Sequence, residues 1–182
     1  MKLYRFISTT AARLRTIKDP KLPGLFYHQQ QPHRWAVSLL DKLPENTPSK
    51  LICGYLNSDN PESSQLYKSL EQNDEFINFL HKVVEKNFTK DQHVIQDAFF
   101  RGEGWIPVMA QYTDERSPQT LGRAGDPDDY LGMVLVEEGG KINPSTYERT
   151  PTYRLATRDN GFMKLSPALD KALREALKSE TS

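Results

Sequence analysis

The sequence predicts a single α+β domain with a mostly antiparallel sheet and two or three packing helices. Three observations lead there. Helical periodicity is concentrated in the middle and at the end of the chain. Strand-like runs joined by tight turns lie between. The length, 182 residues, supports one hydrophobic core.

The elements follow in chain order. Residues 19–34 read as an extended arm, because Pro20, Pro23 and Pro32 oppose regular helix. Within it, Leu25-Phe26-Tyr27 could add an edge strand. Trp35-Ala36-Val37-Ser38-Leu39-Leu40 is an apolar run that fits a short strand or a helix. Residues 43–49 form a loop with two prolines. Residues 51–56 read as a buried strand, and 57–64 as a polar loop.

The clearest helix spans residues 74–87. Asn73 can cap it, and Asp74 and Glu75 favour the dipole in its first turn. Phe76, Phe79, Leu80, Val83 and Val84 then recur at the spacing of one buried face. His81 is expected at the surface or rim of that helix. A second helix is expected to start from a capping box of Thr89 and Gln92, to bury Val94, Ile95, Ala98 and Phe99, and to end before Gly102.

Residues 104–112 look like a strand, which Pro107 assigns to an edge or a bulge. Residues 113–125 are a polar loop. Leu131-Gly132-Met133-Val134-Leu135-Val136-Glu137 is the strongest strand. Glu138-Gly139-Gly140-Lys141 turns the chain. Residues 153–157 read as a strand, Asp159-Asn160-Gly161 as a hairpin turn, and 162–165 as the returning strand. Ser166 then caps a final helix with Pro167 at its first position. Ala168, Leu169, Ala172, Leu173, Ala176 and Leu177 are its apolar stripe.

The N-terminus has a different composition. Residues 1–18 contain five basic residues and no acidic one, and the first carboxylate is Asp19. An acid-free segment rich in Arg and hydroxyl residues has the composition of a mitochondrial transit peptide. On a helix, Leu3, Phe6, Ile7, Leu14 and Ile17 fall within an arc of roughly 140°, with Lys2, Arg5 and Arg15 outside it, Arg13 at its border and Lys18 intruding. Such a helix can dock in an import receptor while its charge responds to a potential that is negative inside. Each charge moved inward gains about 2.3 kcal/mol per 100 mV. Arg5, Phe6-Ile7 and Thr10 also fit the pattern of two-step presequence cleavage. The expected organisation is therefore a transit peptide over 1–18, an arm over 19–34 and one α+β domain over 35–180. The expected location is the mitochondrial matrix, with the import machinery as the partner of residues 1–18. No run of seven apolar residues marks a secretory signal, and no window approaches a membrane span.

Charge narrows the partners. The chain has 24 basic and 24 acidic residues, so a body without residues 1–18 carries 19 against 24. That acidic balance lacks the global footprint of a nucleic-acid binder, so nucleic acid is not an expected partner. The one cysteine, Cys53, excludes an intramolecular disulfide or a cysteine-based zinc cluster. Its apolar neighbours make it a packed thiol.

Residues 101–154 hold the candidate binding side chains. Arg101-Gly102-Glu103-Gly104-Trp105 could bring backbone close to a ligand that stacks on Trp105, or it is a turn before a strand. A dinucleotide fingerprint is absent. Asp126, Asp128 and Asp129 suit a hard cation such as Mg²⁺ or Ca²⁺. The same run, Asp126-Pro127-Asp128-Asp129, also starts a helical turn, and Arg123 can neutralise one acid. No metal ligands are assigned. Tyr147, Tyr153 and Arg154, with Trp105 and Arg123, could line a groove for an anion or a peptide. Arg154 offers a planar fork, and alternation puts it on the face opposite Tyr153 and Leu155.

No catalytic set emerges. The four histidines show no ligand spacing, no Gly-x-Ser-x-Gly occurs, and no phosphate loop is present. No motif names a cofactor. Two readings stand: a binding or accessory factor that uses the 101–154 surface for a protein or small-molecule partner, or an enzyme acting on an anionic small molecule through the aspartates.

The run Gly122-Arg123, Gly125-Asp126-Pro127-Asp128-Asp129, Gly140-Lys141-Ile142, Pro144, Thr146-Tyr147, Pro151 and Tyr153-Arg154-Leu155 resembles a signature of small fungal mitochondrial proteins. Pro23-Gly24-Leu25-Phe26-Tyr27-His28 is similar to their arm. The resemblance covers roughly residues 20–178. It implies a mitochondrial setting and carries over no catalytic residue.

Overall fold

A computed structural model describes residues 15–110 and 129–181. Among them the chain forms a single α+β domain with three antiparallel sheets. The first sheet is a five-stranded meander of β1 (Thr16–Lys18), β2 (Phe26–Gln31), β3 (Arg34–Ser38), β4 (Gly54–Asn57) and β5 (Glu71–Gln72), in sequence order. The second pairs β6 (Gly104–Met109), β7 (Tyr130–Glu137) and β8 (Lys141–Arg149). The third is the small hairpin of β9 (Ala156–Thr157) and β10 (Gly161–Phe162). The helices are α1 (Leu66–Ser69), α2 (Asp74–Asn87), α3 (Gln92–Arg101) and α4 (Pro167–Ser179). Helix α2 packs on α4 and on the turn Ser49–Leu51, while α3 lies against β6 and β8. One continuous cluster of buried side chains joins these layers. No helix of the described residues is long and apolar enough to cross a membrane.

The arm becomes part of the sheet. Leu25 and Tyr27 are fully buried, so β2 lies inside the meander between β1 and β3. Pro20 and Pro23 fall in the connection from β1 to β2, where no ladder bond is lost. Pro32 sits in the two-residue turn from β2 to β3, where His33 takes a φ of +65°. The strand alternative holds for Trp35, which lies in β3 and donates from Nε1 to the Ser58 carbonyl at 2.8 Å.

The boundary expected at residue 18 falls inside this sheet. Thr16, Ile17 and Lys18 pair with His28, Tyr27 and Phe26. The Thr16 hydroxyl lies 3.1 Å from His28 Nδ1, and the other ring nitrogen lies 2.9 Å from the Leu40 carbonyl. Asp19 follows with its carboxylate buried. Its Oδ1 accepts from the backbone N–H of Lys21 and of Leu22, each at 2.8 Å. Its Oδ2 accepts from the Tyr27 hydroxyl and from the Ser63 N–H, each at 2.7 Å.

Helix α2 occupies the expected span, and Asn73 caps it by accepting from the Glu75 N–H. The Asn73 amide also donates to the carbonyls of Ser49 and Ile52. For α3 the cap is Asp91 rather than Thr89, and its buried residues are Val94, Asp97 and Ala98. Ile95 and Phe99 are exposed, Phe99 by 74%. The helix starts two residues later than the Thr89 reading places it, and the face packed inward is that of Val94, Asp97 and Ala98.

Asp91 does more than cap α3. It also accepts from the Ser166 hydroxyl, which in turn accepts from the Leu169 N–H as the cap of α4. Leu169, Leu173 and Leu177 form the buried stripe of α4. Pro107 lies in β6, an edge strand with a register shift at Val108 and Met109. β8 was hidden by its polar sequence and by Pro144, which the outer edge of a sheet tolerates. The strand expected over 153–157 is reduced to Ala156–Thr157. The polar loop expected over 113–125 lies outside the described residues.

Burial alone would raise the Asp19 carboxyl, but hydrogen bonds from Tyr27, Lys21, Leu22 and Ser63 hold it below its ordinary range. The stability tied to it is therefore present at neutral pH and is lost as pH falls through that lowered value. Asp19→Asn puts an N–H₂ among donors and removes the charge. It should cost about 3 kcal/mol in urea unfolding at pH 7. A loss below about 0.5 kcal/mol would show that the buried carboxylate contributes little.

Candidate functional site

The donor-rich cleft of this fold lies between α2 and the segment that leaves β8. Helix α2 presents Asp74, Ile77, Asn78 and His81 to a hollow of about 250 Å³, and Arg149, Thr150 and Pro151 close its other side. The two walls are fixed independently. Asn73 ties the start of α2 to residues 49–52. The Thr150 N–H donates to the Leu131 carbonyl at 2.9 Å, which fixes the chain just after β8.

His81 is 4% exposed. Its ring meets the Tyr153 ring edge-on, with centroids 6.1 Å apart. Burial and the nearby Arg149 charge push its pKa down to about 4. The imidazole is therefore neutral at pH 7, with one donor and one acceptor. Nδ1 is sealed from solvent and has no hydrogen-bond partner among the described residues. A buried polar atom left in this state costs about 1–3 kcal/mol. An unpaired acceptor is tolerated better than an unpaired donor, so the proton belongs on Nε2 rather than on the sealed Nδ1.

Three further donors surround it. Arg149 donates from Nη1 to Asn78 Oδ1 at 2.7 Å. That bond holds the guanidinium against α2 and leaves the Asn78 amide nitrogen as a donor. The Thr150 hydroxyl is the third. Asp74 is the one carboxylate on this lining. A neighbouring hollow of about 310 Å³ shares Asp74 and is lined by Leu66, Leu70, Gln72, Ala156 and Arg154. Asp74 thus lines both hollows, with Arg149 in one and Arg154 in the other.

The candidate side chains named from sequence scatter. Tyr153 is buried against His81, and Arg154 lines the neighbouring hollow, exposed on the opposite side of the chain. Desolvation and the Asp129 charge push the Tyr153 hydroxyl up, so it stays protonated. Asp129 is buried and accepts from the Asn160 amide at 3.0 Å. Tyr147 belongs to the packing. Its ring stacks on Phe88 with centroids 5.1 Å apart, and Gly132 leaves the room beneath it. A Cβ at Gly132 would come within 2.6 Å of that ring. Glu103 and Trp105 are exposed at the start of β6, which pairs with the far end of β7 from Arg149. Arg123, Asp126 and Asp128 lie outside the described residues, so neither the metal nor the helix-cap reading of that run is described here. Cys53 is fully buried and its thiol is pushed up by desolvation.

Sequence reasoning missed His81, Asn78 and Arg149. His81 was expected at the rim of α2 and is instead buried. A signal was present: a position four residues after Ile77 lies on the shoulder of the apolar arc, where β8 and Tyr153 can cover it.

The lowered pKa has a consequence in acid. The unfolded chain binds the His81 proton more readily than the folded one. The stability tied to neutral His81 is complete above the ordinary value of 6.5 and is lost as pH falls toward 4. The loss amounts to about 3 kcal/mol. Urea unfolding at pH 7 and pH 4.5 should show this drop, and His81→Leu should remove most of it. Burial also lowers His28, and that contribution remains in both proteins. Equal pH dependence in the two proteins would overturn the assignment to His81.

No protein-family model, curated protein or solved structure matches this chain.

Proposed function

We propose that this chain is a binding or accessory protein of the mitochondrial matrix that holds a small anion in the α2 cleft. The observation that carries the reading is the lining of the hollow: Arg149, held by its bond to Asn78, stands with the neutral His81 and the Thr150 hydroxyl against one carboxylate, Asp74. A carboxylate or phosphate oxygen placed there would accept from His81 Nε2, from the Asn78 amide and from Arg149. Arg is suited to such planar acceptors. The volume suits a ligand of few atoms. Arg154, across Asp74, supplies a second positive charge for a longer or doubly charged ligand. The composition of residues 1–18 and the resemblance to fungal mitochondrial proteins support the location.

Isothermal titration with inorganic phosphate and with succinate tests the cleft. At least one should bind, and Arg149→Gln should weaken it tenfold or more without shifting the urea midpoint. No binding by either probe, or undiminished binding by Arg149→Gln, would sink the reading.

The location has its own test. Arg5→Glu with Arg13→Glu should leave the protein in the cytosol. Because β1 begins at Thr16, N-terminal sequencing of the imported protein should find a start at or before that residue. Unchanged delivery of the double variant counts against the transit peptide. A mature start after Lys18 counts against β1 as part of the working domain.

A further inference from the structure

We infer a second binding site, separate from the α2 cleft, for a carboxylate-headed ligand with a short aliphatic tail. It is a pocket of about 450 Å³ between the β1–β2 connection, the end of β3, the segment after β10 and the first turns of α4. It shares no lining residue with the α2 cleft. Its volume falls within the range of small-molecule sites.

The walls are apolar: Leu22, Leu25, Leu39, Phe162 and Leu165. The charges on its lining are Lys21, Lys164, Arg174 and Asp170. Three cations thus stand against one carboxylate, and that carboxylate is already engaged. Asp170 Oδ2 accepts from Arg174 Nε at 2.8 Å. Arg174 Nη1 makes long contacts of 3.5 Å with the carbonyls of Gly24 and Leu39. Nη2 has no hydrogen-bond partner among the described residues, and neither lysine has an ion-pair partner among them. An apolar chamber with spare positive charge selects an anion that carries a tail.

The guanidinium is held in place. Gly24 has a φ of +83°, and a Cβ there would lie 2.8 Å from Arg174 Nη1. The loop therefore closes on the guanidinium with no room for a side chain. On the other side, Asp170 sits one turn before Arg174 on α4, whose start is set by the Ser166 cap. A group pre-oriented in this way loses little freedom when a ligand arrives. The free Nη2 and the two lysines can then share one carboxylate, and the tail can follow the leucine wall inward.

The test is a titration of the full chain with butanoate, hexanoate and octanoate. Affinity should rise about fourfold per added methylene until the chamber is full. Octyltrimethylammonium, with a similar tail and the opposite charge, should not bind. Lys21→Ala with Lys164→Ala should weaken octanoate tenfold or more. Both positions are exposed, so the fold should persist, and Lys21→Arg with Lys164→Arg should restore binding. Arg149→Gln should leave octanoate binding unchanged, which separates this site from the α2 cleft. A flat chain-length series, equal binding of the cationic amphiphile, insensitivity to the lysine changes, or loss of octanoate binding in Arg149→Gln would each overturn the inference.

Discussion

The buried carboxylate of Asp19 is the constraint on which the first sheet depends. A charge taken out of water is stable only when its oxygens are fully bonded. Asp19 meets that condition with donors from its own loop, from Tyr27 in β2 and from Ser63 in the chain that leads into α1. The loop after β1, the strand β2 and the distant Ser63 must therefore meet at one point. β1 can pair with β2 only when the loop between them is folded over this carboxylate. The same loop supplies Leu22 and Pro23 to the pocket against α4, and its Gly24 lies close to Arg174. The first acidic residue after a wholly basic N-terminus is thus the one that ties the sheet together.

A second polar knot organises the helices. Asp91 caps α3 and accepts from Ser166, and Ser166 caps α4. One free N–H of each helix, that of His93 in α3 and that of Leu169 in α4, is thus answered within one small cluster. Together with the Asn73 cap of α2, these contacts set the long helices by hydrogen bonds as well as by apolar burial. Against that background the unpartnered His81 nitrogen stands out. Buried polar groups elsewhere in the described fold are paired almost throughout, with one other exception at Gln65. His81 Nδ1 is sealed inside the fold, so the bonding capacity the α2 cleft offers is that of Arg149, the Asn78 amide and the Thr150 hydroxyl.

Much of the architecture was legible because its signals are local. Helix α2 follows from its cap, its first-turn acids and its apolar period. Helix α4 follows from Ser166, Pro167 and the leucine stripe. The strand β7 follows from its apolar run and the glycine turn after it. The errors share another cause. Thr89 offered a capping box by pattern, but Asp91 was in reach of Ser166, and the tertiary bond decided where α3 begins. β8 is too polar to announce itself, because an edge strand needs only one covered side. His81 looked like a rim residue until Tyr153, remote in sequence, covered it.

The amino-acid sequence by itself determined the fold class, the central and final helices, the character of residues 1–18 and the inert setting of Cys53. Those properties depend on composition, on caps and on periodicity, which act over a few residues. Tertiary structure alone decided that β2 is an inner strand, that the sheet starts at Thr16, and that His81, Asn78 and Arg149 share a cleft. The reason is the range of the interactions. A carboxylate bonded by Ser63, 44 positions away, or a histidine enclosed by a tyrosine 72 positions away, leaves no local pattern to read. Only the closed chain brings those groups together.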